Sequence, residues 1–178
     1  MTFLYFAYGS NMLPARLIGR CPSAKAVGTS IARGWRLEFS KASKDGSGKA
    51  TLVVAPNSAI PGVIFEIDLG EREQLDQHEG VGFGYRRDDA LAVERSSVPA
   101  STYLGISLDR TLRPFDWYLA TVIAGAEHHK LDAAHVAELR STLFVEDTDL
   151  DRKTRVAAIQ AMREHGIEDY RKLLEGLG

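Results

Sequence analysis

Cysteine is almost missing from this chain. Cys21 stands alone among 178 residues, so neither an internal disulfide framework nor a cysteine-rich zinc site can be built, and a reducing cytoplasmic setting is expected. Long apolar runs are missing too: none approaches the roughly 20 residues a membrane helix requires, and no membrane partner is expected. The apolar start Met1-Thr2-Phe3-Leu4-Tyr5-Phe6-Ala7-Tyr8 lacks the basic lead and small-residue cleavage site of a secretory signal and reads as a strand. Neither sign of charge dominates. The 22 Lys and Arg face 24 Asp and Glu, which leaves no global field to gather nucleic acid. A small-molecule partner stays open, with the chain as a monomer or a homodimer.

Several cofactor and metal motifs begin and then fail. Gly46-Ser47-Gly48-Lys49-Ala50 resembles part of a phosphate loop, but Ser43 replaces the leading glycine and Ala50 the magnesium-binding hydroxyl. A turn between strands, with Lys49 near a pocket mouth, is the better account. Asp147, Asp149 and Asp151 open like a calcium loop, yet Arg152 stands at its glycine and Ala158 at its closing glutamate, so they read as helix-entry charges. Glu127-His128-His129 with His135 lacks the HExxH spacing. No metal and no cofactor is expected.

What is present is a change of pattern along the chain. Up to residue 106, β-rich segments alternate with Gly, Pro and Ser punctuation: residues 3–8, 29–39, 50–55, 63–67, 85–93 and 101–106. A helix is expected over Leu69–His78, stopped by Gly80. Beyond residue 114 the apolar spacing turns helical, through Phe115, Tyr118, Leu119, Val122 and Ile123, then Val136, Leu139 and Leu143 behind the cap Asp132. Val156, Ile159 and Met162 mark a third helix stopped by Gly166, and a short fourth ends near Leu177. Strands followed by helices, without strict alternation, predict an α+β fold. Residues 1–147 are expected to form the domain, with 148–178 a charged, peripheral helical extension packed on it.

Two segments carry candidate chemistry. In Tyr8-Gly9-Ser10-Asn11 a strand runs through glycine into a helix start, with Asn11 as N-cap. The unpaired N–H groups of such a turn can hold a carboxylate or a developing oxyanion. In Leu75-Asp76-Gln77-His78-Glu79-Gly80-Val81 a carboxylate closes a helix beside apolar Leu75 and Val81, where dipole and desolvation disfavour its charge, as a general base near neutral pH needs. An N-cap turn and a solvated surface glutamate are the bland readings of the same residues. Ser10 as a nucleophile lacks a GxSxG elbow.

Together these segments resemble the gamma-glutamylcyclotransferase-like family, whose members join a YGSN loop after the first strand to a distant Glu-Gly pair. Phe39 with residues 43–50, Gly62-Val63-Ile64-Phe65 and Pro114-Phe115-Asp116-Trp117-Tyr118 extend the similarity over roughly residues 3–143, and the tail after Asp147 departs from vertebrate members. The resemblance implies a small β-barrel-like sheet flanked by helices. It implies a pocket between the Tyr8–Asn11 loop and Glu79, with Tyr85 and Tyr118 lining it. Glu79 would be the acid/base in a reaction that closes a gamma-glutamyl group to 5-oxoproline and frees an amine. A binding protein that keeps the pocket without the reaction, and an amidase using water, remain the rival readings.

Overall fold

The computed structural model describes residues 1–175. Ten elements carry the fold: β1 Thr2–Ala7, α1 Pro14–Ile18, β2 Lys25–Ala42, β3 Gly48–Asp68, α2 Arg72–Glu79, β4 Tyr85–Leu91, β5 Ala100–Gly105, α3 Asp116–His128, α4 Ala133–Arg140 and α5 Lys153–Glu164. Short 3-10 turns occupy Ser10–Met12, Leu69–Glu71 and Tyr170–Leu173. The expected end of a last helix near Leu177 lies outside the described residues.

The strands form one sheet in the order β2-β3-β1-β5-β4. β1 runs antiparallel to β3 and parallel to β5, while β2–β3 and β4–β5 are antiparallel pairs. The α+β expectation is met, with one difference in the strands. The Pro56 and Pro61 punctuation predicts two strands, whereas β3 is continuous over 21 residues. Arg33 pairs with Ala59 and Trp35 with Val54, so the residues between bulge out of the ladder instead of ending it. These irregularities bend the long hairpin until it meets the far side of the sheet. Gly105 N–H donates to Thr51 Oγ1 at 2.9 Å, and Lys41 bridges Leu108. The sheet therefore curls as the barrel-like expectation requires.

α3 is the central helix because it is apolar all round: every residue from Asp116 to Ala126 is buried, which on physical grounds places it between layers. α4 starts as expected, with Asp132 Oδ1 accepting from Ala134 N–H at 2.8 Å, but it ends at Arg140 and leaves Leu143 66% exposed. In α5 the buried face is Ala158, Ala161 and Met162, not the one through Val156, which is exposed. Asp147 is not a solvated helix-entry charge either. It is buried, accepting from Trp117 Nε1 at 2.8 Å and Arg152 Nε at 2.6 Å, and the Arg152 guanidinium holds its carboxyl below the usual range.

Candidate active site

The end of β1, the turn after it, the end of α2 and the N-terminal half of α3 converge on a cavity of about 190 Å³. Its wall contains Tyr8, Gly9, Ser10, Asn11, Glu79, Tyr85 and Tyr118, so residues spread over 110 positions of sequence share one space. β1 delivers the first four by running into the 3-10 turn, whose leading N–H groups have no acceptor within so short a turn. α2 delivers Glu79 as its last residue, and Gly80 then reverses the chain in the left-handed region at φ 66°, the geometry glycine adopts without strain.

Asn11 is not the helix cap the sequence suggests. The turn shows no side-chain cap, and α1 begins after Leu13 with Pro14 in its first turn. The Asn11 amide instead donates from Nδ2 to Tyr5 Oη at 3.0 Å and to Glu79 Oε1 at 2.9 Å, while its buried Oδ1 has no partner among the described residues. Arg20 Nη1 donates to the same Glu79 Oε1 at 2.6 Å. The carboxylate's neighbours are thus an amide and a guanidinium, not the apolar Leu75, which is buried, or Val81, which is exposed. Both contacts fall on Oε1; among the described residues Oε2 has no protein partner, and the side chain is 13% exposed.

Tyr85 and Tyr118 bind the two backbone polar groups of one residue, Ala50. Tyr85 Oη donates to the Ala50 carbonyl at 2.8 Å and Tyr118 Oη accepts from Ala50 N–H at 3.1 Å. Tyr8 Oη donates to the Tyr103 carbonyl. Burial pushes all three phenols up and keeps them protonated. Gly9 sits against the same residue: a β-carbon there would stand 3.0 Å from Ala50 Cβ and 3.6 Å from Tyr118 Oη.

Three of the cavity's four cations, all but Lys49, carry no mark in the sequence. Arg16, Arg20, Lys41 and Lys49 all reach the cavity. Arg16 Nε donates to Ser10 Oγ at 3.0 Å, and burial, with Arg20 beside it, lowers its pKa to about 10. Lys49, expected near the pocket mouth, lies 4.6 Å from the Tyr118 ring centre and pairs with Asp45 at 3.0 Å. Lys41 lies 4.8 Å from the Tyr85 ring centre and has no ion-pair partner among the described residues. Burial pushes both lysines down. Arg20–Glu79 and Lys49–Asp45 balance two of the cations, so Arg16 and Lys41 leave the wall positive, suited to a carboxylate-bearing ligand. Arg16, Arg20 and Lys41 are scattered along the chain and form no local motif, so no signal marked them.

A curled five-stranded sheet with an internal acid at the end of α2 defines a class of small-molecule site, and the comparisons agree with it. The model of the AIG2-like family matches residues 59–139. The human gamma-glutamylcyclotransferase is 27% identical over 148 residues, covering 79% of this chain and 78% of that protein. A solved gamma-glutamyl cyclotransferase superposes with a TM-score of 0.80 at 25% identity, over 90% of this chain and 99% of the other. YkqA from Bacillus subtilis shares the fold with a TM-score of 0.67 at 22% identity, over 81% of this chain and 56% of its own. In sequence and in fold the chain is thus similar to gamma-glutamylcyclotransferases, the resemblance that the Tyr8–Asn11 loop and Glu79-Gly80 carry.

Proposed function

We propose that the chain is a gamma-glutamyl cyclotransferase with Glu79 as its acid/base. The observation that carries this reading is the state of the Glu79 carboxylate: Oε1 is fixed by Asn11 and Arg20, and Oε2 is left without a protein partner among the described residues. A shuttle needs one oxygen held and one available.

Bound in the cavity, the α-ammonium of a gamma-glutamyl group passes a proton to Oε2. The freed amine attacks its own γ-carbonyl carbon, an intramolecular step favoured by proximity. N–H groups at Gly9 and Ser10 hold the oxyanion, a contribution of roughly 3–4 kcal/mol per donor. When the intermediate collapses, the leaving nitrogen takes that proton back from Glu79 as the amide C–N bond breaks; the ring nitrogen then gives up its second proton, by way of the same carboxylate, to the departing amine, which leaves as an ammonium. One new C–N bond replaces the old, and the products are 5-oxoproline and an amine. Arg16, hydrogen-bonded to Ser10, supplies the counter-charge for the α-carboxylate.

The test is cleavage in oxygen-18 water followed by mass spectrometry. Unlabelled 5-oxoproline is expected, with no reaction of an N-acetylated substrate, whose nitrogen is a poor nucleophile. Glutamate carrying one heavy oxygen would overturn the reading in favour of hydrolysis.

A further inference from the structure

The cavity does not close at Glu79. Arg16, Arg20, His78 and Thr154 belong both to its wall and to a second, outer groove of about 450 Å³ that runs between α1 and α5. The groove has a smooth floor: Ala15 of α1 and Gly19, which caps it, and Ala157 and Ala161 of α5 are each four residues apart, which puts each pair on one face. Its rim is polar, with Lys153 and Thr154 at the end nearest the cavity and Gln160 and Glu164 farther along α5. Lys153 has no ion-pair partner among the described residues. Ala15 N–H donates to His165 Nε2 at 3.2 Å, so the end of α5 is tied to the start of α1 and the groove is a formed feature.

We infer that this groove is the subsite for the leaving amine, and that it selects gamma-glutamyl peptides, whose leaving group is an extended chain ending in a carboxylate. The inference rests on the cyclotransferase reading and gives it a direction. The leaving nitrogen takes its proton from Glu79 and so departs beside that residue. Arg20, paired to Glu79 at 2.6 Å, and His78, its chain neighbour, are the residues through which cavity becomes groove. The inner cavity is less than half the volume of the groove, so a peptide beyond the scissile amide finds its space outside. There the small-residue floor admits a short backbone, Thr154 offers a hydrogen bond to its first amide, and the long side chain of Lys153 beside it meets the terminal carboxylate.

Three proteins and two ligands test this: gamma-glutamyl-alanyl-glycine and gamma-glutamyl-ethylamide, with the wild type, Ala157→Trp, which fills the groove, and Lys153→Glu, which reverses its charge. Turnover by the wild type is expected to favour the peptide by about tenfold or more in kcat/KM, the scale of one hydrogen bond to a charged group. Each variant should remove that preference through KM while keeping ethylamide turnover within about twofold. Calorimetry on Glu79→Gln, alone and combined with Ala157→Trp, reads the same preference as binding, without turnover. Equal treatment of both ligands by wild type and by Glu79→Gln overturns the groove assignment. So does an equal loss for both ligands in Ala157→Trp. A binding preference abolished by Ala157→Trp in a protein that releases no 5-oxoproline would leave the groove standing and overturn the cyclotransferase reading instead.

Discussion

Asn11 Nδ2 stands 2.9 Å from Glu79 Oε1 across 68 residues of sequence. This one hydrogen bond joins the loop after β1 to the end of α2, and Tyr5 Oη, 3.0 Å from the same nitrogen, anchors it to the sheet. Orientation of the carboxylate is therefore a property of the strand and the loop as much as of its own helix.

Asn11→Leu should accordingly cost both stability and activity. The substitution leaves the buried Tyr5 hydroxyl and the Glu79 carboxylate each short of a partner, worth about 1–3 kcal/mol per buried group. A lower melting temperature together with a fall in kcat is expected. A variant with wild-type kcat would show that Arg20 alone orients Glu79.

Glu79→Gln keeps the size of the side chain but cannot carry a proton. Turnover should fall by about 10²–10⁴-fold, the usual share of general acid–base catalysis, while calorimetry finds ligand binding retained. Activity within about tenfold of wild type would remove Glu79 from the mechanism.

Tyr118→Phe and Tyr85→Phe probe the two hydroxyls that bracket Ala50. The first leaves the Ala50 N–H and the second the Ala50 carbonyl unpaired, and each should lower stability by about 1–3 kcal/mol in chemical denaturation. A wild-type unfolding midpoint in both would mean that the hydroxyls serve only the ligand.

Gly9→Val should cripple turnover and destabilise the fold together. Its β-carbon would press on Ala50 Cβ at 3.0 Å, tighter than ordinary contact, and the branch would crowd the Tyr118 hydroxyl beside it. Full activity would show that the loop can retreat without consequence.

Asp45 gives a pH dependence with a definite sign. Burial opposes its charge, but the Ser47 hydroxyl and amide and the Lys49 ammonium outweigh that and lower its pKa to about 2 from an ordinary 3.8. A depressed folded-state value adds stability above the unfolded value and loses it as pH falls through the folded one. Asp45→Asn should therefore be less stable than wild type at neutral pH, by on the order of 2 kcal/mol. The two unfolding curves should converge as pH falls from about 4 toward 2. A gap that persists at the acid end would assign the stability to packing instead.

Much of this protein is local and so was written in the sequence. Punctuated β-rich segments, helical apolar spacing, the Asp132 cap and the Gly80 reversal each depend on neighbours a few residues away, which is why element types and the end of α2 at Glu79 follow from the chain alone. The Tyr8–Asn11 loop and Glu79 were legible because each is a short contiguous motif. Arg16, Arg20 and Lys41 were not, because what brings them in is the curl of β2 and β3 over the sheet and the approach of the turn after α1 to the end of α2, and no local pattern encodes a long-range approach. The same holds for Asn11, which the sequence offers as a cap and the tertiary structure turns into the partner of Glu79. It holds for Thr154 as well, on a helix that reads as a charged, peripheral tail and yet forms part of the cavity wall. Backbone periodicity decides what each segment becomes; only packing decides which side chains meet, since contacts between distant residues arise from how whole faces are buried against one another.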